Sequence, residues 1–599
     1  MRDPSTSTAP SARFNPKLLI HLVVVALVFS FMLSFTWRTW PEPVVDFGRE
    51  LYVPWQLSEG KALYRDIAYF NGPLSPYFNA LLFRVLGTSL LTLVVANIAI
   101  LGGIVLMFHR LAARMSDELS STVACIAFLT LLAIGQTGTW GNYNFVTPYS
   151  HEITHGIALS LAAIMCLTKF SETRKIGWIA GSGALVCMVF LTKPEVSVAS
   201  AGATGLGVVL TLRGSKRWLT ELLLFFACAI AIVLVALALL CIPLRFLDAV
   251  GAMIGSWRWA LDSRINGMEF YQRVRGTFDP GETARVLILM SLGYAVVFGI
   301  PALIARVVRC KGSQRLGAFA GSVGAVVILL IVLGGWVRWE EVGRPLIVVV
   351  VAFSVFSILF LLRKPPSPDP LAEREPENGT LRVVFSVFSL LLLLKIALHV
   401  QFYHYGFALA APALVLTVVV FVGAIPSAID RAGGCGAIAR GAAIGAIAVT
   451  IGIYVRHEFR QTPIKTTLVG SGPDAFYADP RKGEPFNRAL AVLDRLPPDA
   501  TLAVVPEGAM VNYLSHRPNP TPYIVLMPPE VTMFGAQKIA QSFGEHPPNY
   551  VLLMQSDLSD YGYRAFPDYA KPIADWFTSN YTGVAQDQTW VLFRINQRR

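Results

Sequence analysis

Charge, cysteine and histidine are all scarce in this sequence. Only 15% of its 599 residues are Asp, Glu, Lys or Arg, whereas 54% are hydrophobic, and the mean hydropathy is +0.55. That balance excludes an ordinary soluble protein and implies a polytopic membrane protein. The 7 cysteines (Cys125, Cys166, Cys187, Cys228, Cys241, Cys310 and Cys435) lie in apolar runs or short basic loops, with no metal-type CxxC pair. They imply no disulfide framework. The formal charge of +12 is no sign of nucleic-acid binding, because Lys and Arg fall mainly in short connections between apolar runs, where they act as topology signals. No small-residue cleavage site follows the first apolar run, so that run reads as an uncleaved anchor ending in Trp37-Arg38-Thr39-Trp40.

What is present is a series of membrane-length apolar runs. The first covers about residues 18–37, and twelve more centre near Ala96, Phe128, Leu161, Leu185, Thr204, Ala231, Leu292, Val327, Val351, Leu391, Leu414 and Ile447, each expected to supply about 20 helical residues. Basic clusters at Arg110 and Arg114, Lys169 to Lys175, Arg213 to Arg217, Arg306 to Arg315, Arg363 and Lys364, and Arg431 and Arg440 occupy every second connection. By the positive-inside rule the N-terminus is cytoplasmic and the tail after Arg456 is outside, in a bacterial-type inner membrane. The tail alternates short apolar runs (Thr501 to Val505, Tyr550 to Met554, Trp590 to Phe593) with helical patterns, which predicts a small α/β domain. The expected fold is therefore an α-helical polytopic membrane protein with about 13 transmembrane helices and a small C-terminal α/β soluble domain. Residues 1–17 form a cytoplasmic tail, 18–455 the membrane domain with a first outer loop at 38–87, and 456–599 the extracytoplasmic domain.

Four polar segments share the outer face in this reading. The first outer loop carries Asp46, Arg49 and Glu50, then Glu59-Gly60, Tyr64-Arg65-Asp66 and Tyr69-Phe70-Asn71-Gly72-Pro73-Leu74. Carboxylates held at a bilayer surface are costly unless they serve a function, although any single charged loop can also be a solvated connection. The turn Thr192-Lys193-Pro194-Glu195 and the aromatic turn Gln401 to Tyr405 lie on the same side. The long outer loop from about Leu244 to Glu282 carries Arg245, Arg258, Arg264, Arg273 and Arg275, wrongly placed as topology signals and suited to an anionic ligand.

An Asp shortly after the first membrane helix, the spacing Asp46-x-x-Arg49, the downstream Glu59-Gly60-x-x-Leu63-Tyr64-x-Asp66 and an aromatic-Gly-Pro-Leu run into a helix from Pro76 to Leu86 resemble the first outer loop of the GT-C superfamily. These are glycosyltransferases that use polyprenyl- or dolichyl-phosphate sugars, among them the protein O-mannosyltransferases and the bacterial lipid A aminoarabinose transferase. The resemblance implies sugar transfer from a lipid-phosphate donor to a glycan, lipid or protein acceptor, by an inverting single displacement at the outer face. Asp46 would be the base with Glu50 as second acid, and Arg49, Lys193, Arg258 and Arg264 would bind the donor phosphate. The chain departs from the family in having Phe47 where a second adjacent acid is common, and Asn71-Gly72-Pro73 where several members have Lys-Pro-Pro.

A competing motif is His151-Glu152-Ile153-Thr154-His155, an H-E-x-x-H at the start of a helix, the spacing of a zinc metalloprotease. Pro243 to Ala249 faintly echoes the second motif of intramembrane metalloproteases. The same three residues could instead hold a divalent metal (Mg, Mn or Zn) that bridges the donor phosphate, or simply pack against neighbouring loops. A transporter is the remaining alternative, but it usually places its ionisable residues at the bilayer midplane rather than at helix ends.

Overall fold

The computed structural model describes residues 16–40, 47–137, 143–363, 374–396, 398–402 and 407–596. Asp46 and the turn residues Tyr403 to Tyr405 lie outside the described residues. Among the described residues ten helices are long and apolar enough to cross a membrane, and three shorter apolar stretches of helix, Glu118–Ala133, Ile176–Phe190 and Gly379–Leu393, fall at the other expected positions. Glu118–Ala133 and Ile176–Phe190 correct the expectation of about 20 residues per span, whereas Gly379–Leu393 belongs to the 20-residue helix Arg374–Leu393. The 15 residues of Ile176–Phe190 extend only about 23 Å, short of a hydrocarbon core of roughly 30 Å. The chain continues past these helix ends as buried irregular backbone at Ile134 to Thr137 and at Leu191 and Thr192, and the second stretch is used by the candidate site.

The helices that build the site are α1 (Pro16–Phe35), α2 (Phe47–Ser58), α3 (Leu74–Leu86), α4 (Leu90–Met115), α5 (Glu118–Phe128), α6 (His151–Thr173), α7 (Ile176–Phe190) and α8 (Pro194–Leu212). α6, α8 and Phe407–Arg431 form the buried centre, whereas Trp218–Leu240 is peripheral and turns Leu219, Leu223, Phe226, Ile230 and Leu234 outward. Their 3–4 residue spacing makes one exposed apolar stripe, which water would penalise and lipid does not. Irregular backbone inside the bundle is satisfied by side chains: Tyr454 Oη accepts from Gln136 N (2.7 Å) and Glu458 Oε2 from Thr137 N (2.7 Å).

The bundle has two chemically different ends. At one, Arg114 pairs with Glu172 (2.8 Å), Arg440 with Asp117 (2.7 Å), and Arg382 Nη2 donates to Met115 O (2.8 Å), so the basic connections meet one another. At this end Cys310 and Cys435 are joined as a disulfide, with Cα atoms 5.4 Å apart. This corrects the reading of seven unpaired cysteines; a separation of 125 residues hides the pair from local spacing.

The C-terminal module sits at the other end. Its hairpin pairs β1 (Thr467–Val469) with β2 (Phe476–Ala478), and a four-stranded sheet runs in the order β3 (Leu502–Val505), β4 (Tyr550–Met554), β6 (Trp590–Ile595), β5 (Tyr581–Gln586). β3 and β4 are parallel with Leu502 opposite Tyr550, and helices between them make the crossover that parallel strands require. β4 and β5 both pair antiparallel with β6. The module shares one hydrophobic core with the first loop, in which Phe47, Leu51 and Tyr52 pack with Val504, Ala509 and Met510. Gly48 is essential to this contact: a Cβ there would collide with the backbone at Met510. Polar ties fix the orientation, with Asn519 N donating to Tyr52 Oη (2.9 Å), Ala68 N to Pro522 O (2.9 Å) and Leu90 N to Asp474 Oδ1 (2.7 Å). The long outer loop also folds into short helices that reach the module, Trp259 against Phe534 and Phe270 stacked on Tyr561.

Candidate active site

The site forms where the beginnings of α2, α6 and α8 meet the strand-like run at residues 69–74. Arg49 and Glu50 occupy the first turn of α2, where a carboxylate is favoured by the unpaired amides of a helix start. Arg49 Nη2 donates to Glu50 Oε1 (3.0 Å), and its guanidinium lies over the Phe70 ring, 5.0 Å from the centroid. The other Glu50 oxygen accepts from His151 Nδ1 (3.1 Å). Glu50 is thus 5% exposed with both oxygens engaged. Burial pushes its pKa up, but the His151 hydrogen bond and the Arg49 charge outweigh it and hold the carboxyl down at about 2.

α6 begins at His151, directly after Ser150, whose φ of 51° and ψ of 46° place a non-glycine residue in the left-handed region. The segment leading into it is buried and braced by asparagines. Asn144 Oδ1 accepts from Val146 N (3.0 Å) and Thr147 N (2.9 Å), and Asn97 Nδ2 donates to Thr147 O (3.1 Å). Asn79 Nδ2 lies 3.0 Å from His151 Nδ1 and Asn97 Nδ2 3.2 Å from its Nε2, so both ring nitrogens have polar neighbours. Glu152, wholly buried, accepts from the Tyr69 hydroxyl, and its Oε2 has no hydrogen-bond partner. Burial, then the charges of Glu152 and Glu50, push the Tyr69 hydroxyl far up and keep it protonated. His155 Nδ1 is 3.0 Å from Ser75 Oγ, the Phe78 ring meets the imidazole edge-on, and Nε2 is unpartnered.

Lys193 precedes α8 and is brought here by backbone pairing: Gly72 N donates to Thr192 O (2.8 Å) and Leu74 N to Leu191 O (3.1 Å). A Cβ on Gly72 would overlap the Leu191 carbonyl, so this approach needs glycine. Lys193 Nζ is 3.7 Å from Glu195 Oε1, which Lys395 Nζ also meets at 2.7 Å, and its charge acts on Glu152. The structure therefore gathers Arg49, Glu50, His151, Glu152, His155 and Lys193. It does not bring in Arg258 or Arg264. Arg258 packs over Trp259 (5.0 Å), and Arg264 pairs with Asp262 (2.6 Å) with most of its side chain exposed.

The H-E-x-x-H helix exists, but its side chains turn to protein partners. Among the described residues no group of three or more His, Cys, Asp or Glu side chains is placed to hold a metal ion. Of the motif's side-chain atoms, His155 Nε2 and Glu152 Oε2 are buried without a hydrogen-bond partner among the described residues. A zinc protease needs a ring nitrogen of each histidine directed at one ion, and both ring nitrogens of His151 face protein groups, those of Asn79, Asn97 and Glu50.

Several members of the network were invisible to motif reading. Ser75 and Asn79 stand four residues apart on one face of α3, and Asn97 is a lone amide in the apolar α4, polar signals that could have been caught. Glu530 could not, since it belongs to the C-terminal module. Burial lifts its carboxyl to about 7 against the opposing charge of Arg49, and its Oε2 has no partner. The Tyr569 hydroxyl is pushed up by burial and by the nearby Glu530 and Glu507.

No protein-family model matches the sequence, and no curated protein matches it. Solved structures do. An Archaeoglobus fulgidus oligosaccharyltransferase complex with Zn and sulfate aligns over 96% of this chain and 73% of its own, at 12% identity and a TM-score of 0.50. The archaeal oligosaccharyltransferase AglB from the same organism, in complex with an inhibitory peptide and a dolichol-phosphate, aligns over 97% and 75% at 11% identity and a TM-score of 0.47. ArnT from Cupriavidus metallidurans, bound to undecaprenyl phosphate, aligns over 96% and 98% at 13% identity and a TM-score of 0.40. The first of these likenesses shows the fold: the chain is folded like that oligosaccharyltransferase, with ten helices among the described residues long and apolar enough to cross a membrane.

Proposed function

We propose that the protein is a membrane glycosyltransferase that moves a sugar from a polyprenyl-phosphate donor to an acceptor hydroxyl or amine at the membrane surface. The observation that carries this reading is the meeting of Arg49 and Lys193 with buried carboxylates at the helix ends of a GT-C fold. A lipid phosphate cannot leave the bilayer surface, and two cations at that depth suit it. Sugar C1 is attacked by the acceptor oxygen or nitrogen on the face opposite the phosphate. The C1–O bond to phosphate breaks, polyprenyl phosphate leaves against Arg49 and Lys193, and a carboxylate takes the acceptor proton. One displacement inverts the anomeric centre.

Asp46, one residue before α2, is our base. Glu50 is a poor one: with its pKa near 2 and both oxygens engaged, it is better suited to aiming Arg49 and His151. Glu152 is the second reading, favoured by its free Oε2. The N-terminus is assigned to the cytoplasm and the module to the outer face, following the basic connections.

The test is transfer from a radiolabelled polyprenyl-phosphate sugar in membranes, with donor binding measured separately. Asp46→Asn should lower turnover by roughly 10²–10⁴-fold with donor binding retained, and Arg49→Ala should weaken donor binding. Wild-type turnover in Asp46→Asn together with loss in Glu152→Gln would move the base to Glu152. Wild-type turnover in both would end the proposal.

A further inference from the structure

The basic end of the bundle, remote from the candidate site, holds a groove of about 510 Å³ between Ala295–Val307 and Ile425–Arg431. Gly299, Ile300, Leu303, Ile425 and Ile429 line it, and Arg306 is its one charged lining residue. Two features make it a cleft rather than a packed seam. The helix passes through a π-turn at Ala295–Gly299, and a Cβ on Gly299 would meet no atom within 4 Å.

The mouth is built and rigid. The turn at Gly434 presses on the carbonyl of Ala305 and the Cα of Arg306, Cys435 N donates to Ala305 O (2.7 Å), and the Cys310–Cys435 bond ties the two flanking loops together. Its charge is unbalanced. Asp430 lies 3.8 Å from Arg315, whereas Arg306 and Arg309 are exposed with no ion-pair partner among the described residues. Orientation in the membrane requires only positive charge somewhere in these loops. It does not require an unpaired guanidinium at the end of an apolar cleft.

We propose that the groove binds an anionic phospholipid, with one acyl chain along Gly299 and Leu303 and the phosphate on Arg306. The occupant follows from dimensions as well as charge. From Ala295 to Arg306 the helix rises roughly 16 Å, about half of a 30 Å core and hence the depth of one leaflet. Guanidinium and lipid phosphate form charge-assisted hydrogen bonds, and basic pockets between membrane helices select anionic headgroups. This assignment does not depend on the glycosyltransferase reading.

The full-length protein is reconstituted into bilayers of equal parts phosphatidylglycerol and phosphatidylcholine, extracted in mild detergent, and its retained lipid quantified by mass spectrometry. Phosphatidylglycerol should be enriched about fivefold, the ratio that roughly 1 kcal/mol per basic side chain supplies. Arg306→Gln should bring the ratio close to one. Gly299→Phe, which fills the cleft with Arg306 intact, should do the same, while Arg309→Gln outside the cleft should retain most of the enrichment. Equal retention by wild type, persistent enrichment in Arg306→Gln, or an equal loss in Arg309→Gln would overturn the site. Displacement of the retained phospholipid by added polyprenyl phosphate would overturn the choice of occupant.

Discussion

Replacing Glu50 by Gln separates a residue that aims the cation from one that takes the proton. Its two oxygens serve two different donors, Arg49 Nη2 at 3.0 Å and His151 Nδ1 at 3.1 Å, in a site where the carboxylate is 5% exposed. A glutamine has one acceptor oxygen, so one donor must face an amide NH₂ instead. A hydrogen bond to a charged group contributes about 1.5–3 kcal/mol, which at 1.36 kcal/mol per decade corresponds to a loss of about 10- to 150-fold in kcat/KM. If Glu50 acts through Arg49, the loss appears mainly as a raised donor KM. It should also fail to add to that of Arg49→Lys, because both changes disturb one contact. The assay is initial-rate transfer over a range of donor concentrations for Glu50→Gln, Arg49→Lys and the double variant, with monodispersity in detergent as the folding control. A wild-type donor KM in folded Glu50→Gln, or losses that add in the double variant, would refute the positioning role. A collapse of kcat at unchanged KM would make Glu50 the base. The pH profile is an independent check: since its carboxyl titrates near 2, no limb between pH 4 and 8 belongs to Glu50.

Two further outcomes are expected. Glu530 has a folded pKa of about 7, above its ordinary 4.5, so its contribution to stability is fully present below about pH 4.5 and lost as the pH rises to 7. Thermal unfolding of wild type and Glu530→Gln in detergent should therefore diverge between pH 5 and 8 by at most about 3 kcal/mol, an upper bound because Glu530 keeps some exposed surface; parallel curves would refute the burial-raised Glu530 carboxyl. A reporter fused after Arg599 should be active only outside the cytoplasm, and cytoplasmic activity would reverse the assignment of the two ends.

Much of the fold was legible because lipid and water impose different patterns. Apolar runs mark apolar helices at all thirteen positions, ten of them long enough among the described residues to cross a membrane, since a backbone in hydrocarbon must satisfy itself by helix formation. The tail reads as strands and helices at β3, β4 and β6 because burial of short runs on a sheet leaves that signature. β5 was missed: Tyr581 to Gln586 contains a glycine and only its first residue is buried, so there is no apolar run to see. The span lengths of Glu118–Ala133 and Ile176–Phe190 were overread for a related reason. Hydropathy reports what is buried, and residues 134–137 and 191–192 are buried as loops inside the bundle.

The candidate site divides along a different line, between what a residue is and what surrounds it. Arg49, Glu50, His151, Glu152 and Lys193 could be singled out because ionisable groups at the ends of apolar helices are expensive and few. Their division of labour could not, because it depends on partners 80 to 480 residues away in sequence. Glu50 and Glu152 are the same side chain in equally buried places. One has both oxygens taken by Arg49 and His151, and the other has one oxygen taken by Tyr69 and one free. A carboxylate whose oxygens both accept hydrogen bonds, one of them from a guanidinium, has little basicity left to offer an incoming proton, whereas an unengaged oxygen retains it. The H-E-x-x-H motif reads by the same logic. Its spacing does put both rings on one face of α6, 5.4 Å apart, but Asn79, Asn97 and Ser75 from two other helices reach those rings first. A spacing rule predicts which atoms can converge; the competition for their lone pairs is decided by the helices packed against them.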